Sequence, residues 1–347
     1  MSIRLFEPLV EESRQHPNFR TIMRPGNGFA LDVLSDWARG FEDRDGKFVE
    51  EFQTTFNSAF WELYLYAVFK KYGLAVDFSH ARPDFCIPES GLVVEAAVAS
   101  NAKDEEPEHA RRGKEPPPDL NAFNFKSILR LSNSLTEKHK KYTQSYAQLD
   151  HVKEQSYVIA VTSFDRPFSF VACQRPIEAV LHGYYVDEER HIATNGREGR
   201  LEGEQLQRVF KDNGSPVELG LFSSPAYSEI SAVIFSSCAT FGKVRALSSD
   251  PNPNITFTAV RYSPAGIQPQ IVREPKHRYT ESLVDGLRVY HNPFASHPLD
   301  PALFRHPSVF QSYYQNDDWV YEARQGQLMF RSDVVQEPHG THSSHTG

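Results

Sequence analysis

"RPDFCIPESGLVVEAAVAS", Arg82 to Ser100, is the stretch whose reading decides the fold. It holds two short apolar runs joined by "PESG", a turn of proline, glycine and polar residues. Each run carries one acid that a plain core strand would exclude: Asp84 after a proline, and Glu95 inside "LVVEAAVA". A lone ionised carboxylate in a dry strand is costly unless something pairs with it. At a strand end facing a cleft, a cationic partner or a metal ion offsets that cost. If the two runs pair as a hairpin around "PESG", both carboxylates come near one end of a sheet. A hard cation such as magnesium takes two or three such oxygens and completes its shell with water.

Working outward, "KFVEEFQTTFNSAFWELYLYAVFKKYG" predicts one long helix. Phe52, Phe56, Phe60, Leu63 and Ala67 recur at spacings of three and four, and Gly73 ends the helix after Lys70 and Lys71. "LAVDFS" then reads as a first strand, before "DFCIP" and "GLVVEAAVA". "NAKDEEPEHARRGKEPPPDL" is a mixed-charge loop in which Arg111, Arg112 and Lys114 read as solvated charges. Beyond it, "NAFNFKSILRLSNSLTEKHKKYTQSYAQL" predicts a second long helix with an apolar stripe of Ile128, Leu131, Leu135, Tyr142, Tyr146 and Leu149. "SYVIAVTSF" is a buried strand. The order helix, three strands, helix, strand over residues 47–164 predicts an α/β fold, a central mixed sheet flanked by helices.

Residues 1–46 read as an N-terminal arm with one short helix in "GFALDVLSDWARGFED". Residues 165–332 read as a β-rich α/β extension, packed on the core or forming a separate module. "PIEAVLHGYY" is its helix; "ISAVIFSSCATF", "NITFTAVRY" and "DGLRVYHNPFA" are its strands. From Asp333 to residue 347 the chain turns polar, and a disordered tail is expected.

Composition narrows the function. The 347 residues suffice for one large domain or two ordinary ones. No apolar run approaches the length of a membrane span. The start lacks an apolar signal core, so a cytoplasmic location is expected. Cys86, Cys173 and Cys238 are too few and too scattered for a disulfide framework or a zinc site. The net charge of −8 argues against a protein that coats nucleic acid, but leaves room for a local basic groove. His291, His297 and His306, with prolines between, match no ligand spacing and read as loop histidines. No sequence feature specifies an oligomeric state.

With "PD" ahead of a strand bearing a glutamate, between two helices, the stretch from Phe48 to Phe164 resembles the PD-(D/E)XK nuclease superfamily, whose core is αβββαβ and restriction-endonuclease-like. Pro83-Asp84 matches the "PD", and Glu95 matches the second acid. Glu62 in "FWELYLY" matches the glutamate that many members carry on the first helix. The motif lysine is missing: its position is Ala97. Some members supply that lysine from the following helix, and Lys138, which flanks the apolar stripe, is the candidate here. Lys140 falls on nearly the opposite face, Lys141 lies further from the stripe than Lys138, and Gln148 is a possible polar support. The resemblance implies metal-dependent phosphodiester hydrolysis of nucleic acid, DNA rather than RNA, with magnesium or manganese as cofactor. Asp84, Glu95, the carbonyl of Ala96 and Glu62 would hold the metal; Lys138 would orient water or stabilise charge on the phosphate. The alternative is a catalytically inactive nuclease-like scaffold that binds nucleic acid or protein, favoured by Ala97 and the acidic net charge. No membrane partner is expected.

Overall fold

The hairpin read from the sequence forms in the computed structural model, which describes residues 3–111, 113–187, 189, 193, 203–249, 254–263, 269–322 and 326–335. Phe85–Ile87 (β1) runs antiparallel to Leu92–Ser100 (β2), with Phe85 opposite Val94 and Ile87 opposite Leu92. Gly91 closes the turn at φ 59°, a left-handed position that favours glycine. β2 then pairs in parallel with Ser156–Phe164 (β3) along its whole length. The other strands are Tyr184–Val186 (β4), Gly203–Gln205 (β5), Arg208–Phe210 (β6), Pro216–Glu218 (β7), Ala232–Ser236 (β8), Ile255–Arg261 (β9), Gln270–Pro275 (β10), Arg288–His291 (β11), Phe310–Gln315 (β12), Asp318–Glu322 (β13) and Leu328–Val335 (β14). A seven-stranded mixed sheet has the order β1-β2-β3-β8-β11-β12-β13, and β10-β9-β14 form a second sheet. The helices include Pro17–Ile22 (α1), Gly28–Trp37 (α2), Phe48–Thr54 (α3), Phe56–Lys71 (α4), Leu120–Lys141 (α5), Arg175–His182 (α6) and Phe241–Leu247 (α7).

The large sheet is covered on both faces, which is why "LVVEAAVA" does not alternate. Leu92, Val94 and Ala96 face a core built with α1–α4, whereas Val93, Ala97 and Ala99 face α5 and α6. α4 is buried nearly all round, because α1 and α2 lie over the side turned away from the sheet: Phe19, Ile22, Leu34 and Trp37 share its core. The N-terminal segment is therefore docked through its apolar residues. From the second half, β8, β11, β12 and β13 extend the same sheet.

Four sequence expectations need correction. "LAVDFS" is not a strand. Asp77 makes a single bridge to Cys86, then its carboxylate accepts from Ser79 N at 2.8 Å and Ser79 Oγ at 2.9 Å, a local turn that ends the extension. The first long helix breaks at Thr55, where Thr54 and Thr55 turn their hydroxyls back onto the carbonyls of Glu50 and Glu51. Asp333–Val335 are not tail but the end of β14, held by pairing with β9; residues 336–347 lie outside the described residues, as does Arg112. His291 is not a loop residue: it is buried on β11, with Nε2 3.0 Å from Gln311 Oε1. Among the described residues, no helix is long and apolar enough to cross a membrane.

A buried ionic cluster joins the two sheets. Glu281 takes Arg331 Nε of β14 at 2.8 Å and Tyr279 Oη at 2.6 Å, and it pairs with Lys243 of α7. Lys243 also donates to the carbonyls of Ser282 and Asp285, and Arg331 to that of Cys238.

His182, at the end of α6, packs against Phe222, Tyr290 and Trp319, and burial pushes its pKa down to about 4. It is neutral in the fold, while the unfolded chain takes up its proton near 6.5. Stability at this site is therefore present at neutral pH and lost as pH falls from about 6.5 towards 4. Between pH 7.5 and 5 the expected loss is about 2 kcal/mol by this linkage. Urea denaturation at both pH values checks it, since His182→Leu should flatten that part of the difference.

Candidate metal centre on β2

Asp84 immediately precedes β1. Extending the register by one residue sets it opposite Glu95 on β2. Its Oδ2 accepts from Ala96 N at 2.7 Å, in place of the ladder bond that the short β1 cannot give. A strand residue's N–H and C=O face the same edge, so the Ala96 carbonyl also lies on the side that β1 leaves open. The loop before Asp84 is clamped from two sides. Arg44 donates to the carbonyls of His80 and Pro83 at 2.8 and 3.4 Å, and His151 Nε2 meets the Arg82 carbonyl at 2.8 Å.

Glu95 shares its face of β2 with Val93 and Ala97 and points towards α5, where it is completely buried. Asp119 caps α5 by accepting from Ala122 N at 2.8 Å, and the apolar stripe Ile128, Leu131 and Leu135 seats the helix on β2 and β3. The last turn carries Lys138 and Lys141, whose ammonium groups lie 2.7 and 2.8 Å from Glu95 Oε1. The chain then widens into a π-helical turn, Tyr142–Tyr146, which brings Tyr146 Oη to 3.4 Å from the same oxygen. Lys141 also lies over the Tyr146 ring at 5.0 Å. Glu95 Oε2 is buried and has no hydrogen-bond partner.

The charges here are strained. Burial, then the negative charge of Glu95, pushes the Asp84 pKa up to about 6 against Lys138 and the Ala96 amide. Burial, then Asp84, pushes Glu62 up to about 8, with Arg44 and Lys138 opposing. Burial alone would lower Lys141, but Glu95 and Tyr146 hold it above its usual value.

The expected site residues are only partly brought together. Asp84, Glu95, the Ala96 backbone and Lys138 converge. Glu62 does not close as a third ligand: among the described residues, the one set of three His, Cys, Asp or Glu ligand atoms all within 4.8 Å is His16, Glu108 and His109. The reason is that α4 lies on the sheet face opposite the one Glu95 uses. Lys141 reaches Glu95 as closely as Lys138, contrary to its expected distance from the stripe, because residues three apart share a helix face and the lysine stem is long. Gln148 is exposed beyond the helix, and Lys140 is exposed. Ala97, at the position of the motif lysine, is buried in the core under α5. Arg44 has no role in the sequence reading, Tyr146 stands there only as part of the apolar stripe, and Lys141 is placed behind Lys138. The i, i+3 relation of Lys138 to Lys141 was a usable signal, whereas nothing local marks Arg44.

The donor set fits a hard cation. A buried carboxylate oxygen without a partner is costly, and Glu95 Oε2 is one, beside a second carboxylate whose ionisation is disfavoured. No protein-family model, curated protein or solved structure matches this chain.

Proposed function

We propose that the protein is a metal-dependent nuclease, acting on DNA rather than RNA, built on a restriction-endonuclease-like core of α4, β1, β2, α5 and β3. The observation that carries this reading is the convergence of Asp84, Glu95 and Lys138 at the open edge of β2, with Glu95 Oε2 left unpaired. Asp84, Glu95 and the Ala96 carbonyl would hold a magnesium or manganese ion. When bound, that ion would supply the charge that polarises a phosphate and acidifies a water. Lys138 donates to developing negative charge on the phosphate or orients the water, and it is the nearer lysine to the acids: it acts on both Asp84 and Glu62, while Lys141 acts on Asp84 more weakly. Lys141 and Tyr146 hold Glu95 in position. Arg44 fixes the loop that presents Asp84.

Purified protein incubated with linear and supercoiled DNA, with magnesium, manganese or EDTA, tests the reading. Metal-dependent cutting that Asp84→Asn abolishes is the expected result; cutting that survives in EDTA or in this variant sinks the site as drawn. Asparagine keeps the acceptor for Ala96 N, so thermal unfolding should change little. Lys138→Ala should lower the rate about a hundredfold. Lys141→Ala should lower it tenfold or less. Equal losses in single-turnover assays would mean that the two lysines act as one unit.

A second reading has one observation in its favour. Two ammonium groups already meet Glu95 Oε1, which is how a purely structural carboxylate is held. On that reading the chain is a nuclease-like scaffold that binds nucleic acid or protein without cutting. Absence of both cutting and magnesium binding would make it the better account.

A further inference from the structure

Away from β2, two segments more than ninety residues apart in sequence place three metal-ligating side chains together: His16, Glu108 and His109. His16 precedes α1, and Glu108 and His109 belong to the long polar loop between β2 and α5. The ligand atoms of all three lie within 4.8 Å of one another. The His16 ring stacks on Phe56 at 5.8 Å and meets the His109 ring edge-on at 5.1 Å. Asn18 Nδ2 donates to Glu108 Oε1 at 2.5 Å and so holds the carboxylate in the cluster. His109 Nδ1 lies 3.3 Å from Glu108 Oε2 without meeting hydrogen-bond geometry, and it is buried with no hydrogen-bond partner. A buried imidazole nitrogen without a hydrogen bond carries a desolvation cost that a ligand would offset.

We propose that His16, Glu108 and His109 form a second metal site, selective for a borderline divalent ion of the zinc class, which pins the loop onto α1. Two imidazoles and one carboxylate are a donor set that tetrahedral zinc accepts, with a water in the fourth position. Magnesium avoids such nitrogen-rich sets and prefers oxygen. Asn18 already supplies the outer hydrogen bond that orients the carboxylate ligand. The backbone N–H of Asn18 donates to His16 Nδ1 at 3.1 Å, and ligation at either ring nitrogen ends that bond, so binding gives up one helix cap. The role is structural: the loop carries Arg111, exposed to trypsin, and the ion would hold it down.

The test uses the full chain, stripped with chelator and titrated with zinc alone against a chromophoric competitor. One tight equivalent that weakens at least tenfold in His109→Ala, and again in Glu108→Gln, is the expected result. Zinc should also slow trypsin cleavage after Arg111 in the parent and not in those variants. Both changes lie in a loop, so folding should survive; His16→Ala, which also removes a cap, is the confirming third. Zinc binding unchanged in His109→Ala overturns the site and assigns the ion elsewhere, for instance to His339, His342 and His345 near the C-terminus. Glu95→Gln should leave zinc binding intact, and loss there would equally overturn the proposal.

Discussion

Glu95→Gln is expected to reduce metal-dependent cleavage of DNA by at least about a hundredfold while leaving a folded protein. The substitution keeps the shape of the side chain and an acceptor for Lys138 and Lys141, and removes only the charge. Its cost to stability should be small, about 1–2 kcal/mol, for the loss of charge-assisted hydrogen bonds. Breaking a fully buried pair is dearer, but Lys138 and Lys141 retain 26% and 47% side-chain exposure, so water can take over. Supercoiled DNA nicking in magnesium, with urea denaturation of the same preparation, separates the outcomes. Unchanged nicking removes Glu95 from the chemistry. Loss of nicking together with loss of the folded state makes Glu95 a structural residue.

Glu281→Gln should be the most destabilising charge change in the chain, at about 3–5 kcal/mol. Lys243, Glu281 and Arg331 are all sealed from water, with side-chain exposures of 0, 0 and 1%. Neither cation can rehydrate when its anion goes. The carboxylate itself is held below its usual pKa: burial would raise it, but Arg331 and Lys243 prevail. Replacing all three by apolar residues should recover only part of the loss, because the carbonyls of Cys238, Ser282 and Asp285 would lose their donors. Equilibrium unfolding of single and triple variants measures both quantities. A single variant within 1 kcal/mol of the parent would mean that water reaches the cluster.

The hairpin and the two long helical stretches were legible because their information is local. "PESG" dictates its own turn, and the stripes of α4 and α5 repeat at helical spacing. Glu95 was legible for the opposite reason, as the one residue at odds with its surroundings. What local sequence hid was set by contacts elsewhere. "LAVDFS" has the composition of a strand, yet Asp77 makes one bridge to Cys86 and then turns onto Ser79. Asp333 reads as tail because the chain after Val335 is polar, yet its pairing with β9 is invisible without the distant strand. Lys141 was set aside on helix angle alone, which neglects the reach of a lysine stem. His16 and His109 stand in unrelated contexts, and no spacing rule links them.

The strand order has a practical consequence for anyone who wishes to trim the chain. Residues 47–164 look in sequence like a self-sufficient catalytic unit, but β3 is an interior strand whose outer neighbour, β8, comes from the second half. Cutting after Phe164 would strip that neighbour away and bare a row of amide and carbonyl groups along Val158–Thr162, between two apolar faces. A long, flat, apolar edge of this kind recruits other chains. The minimal fragment is thus expected to collect in inclusion bodies, and a soluble working version must keep the chain through β13, because β8, β11 and β12 are each paired on both sides and only β13 ends the sheet.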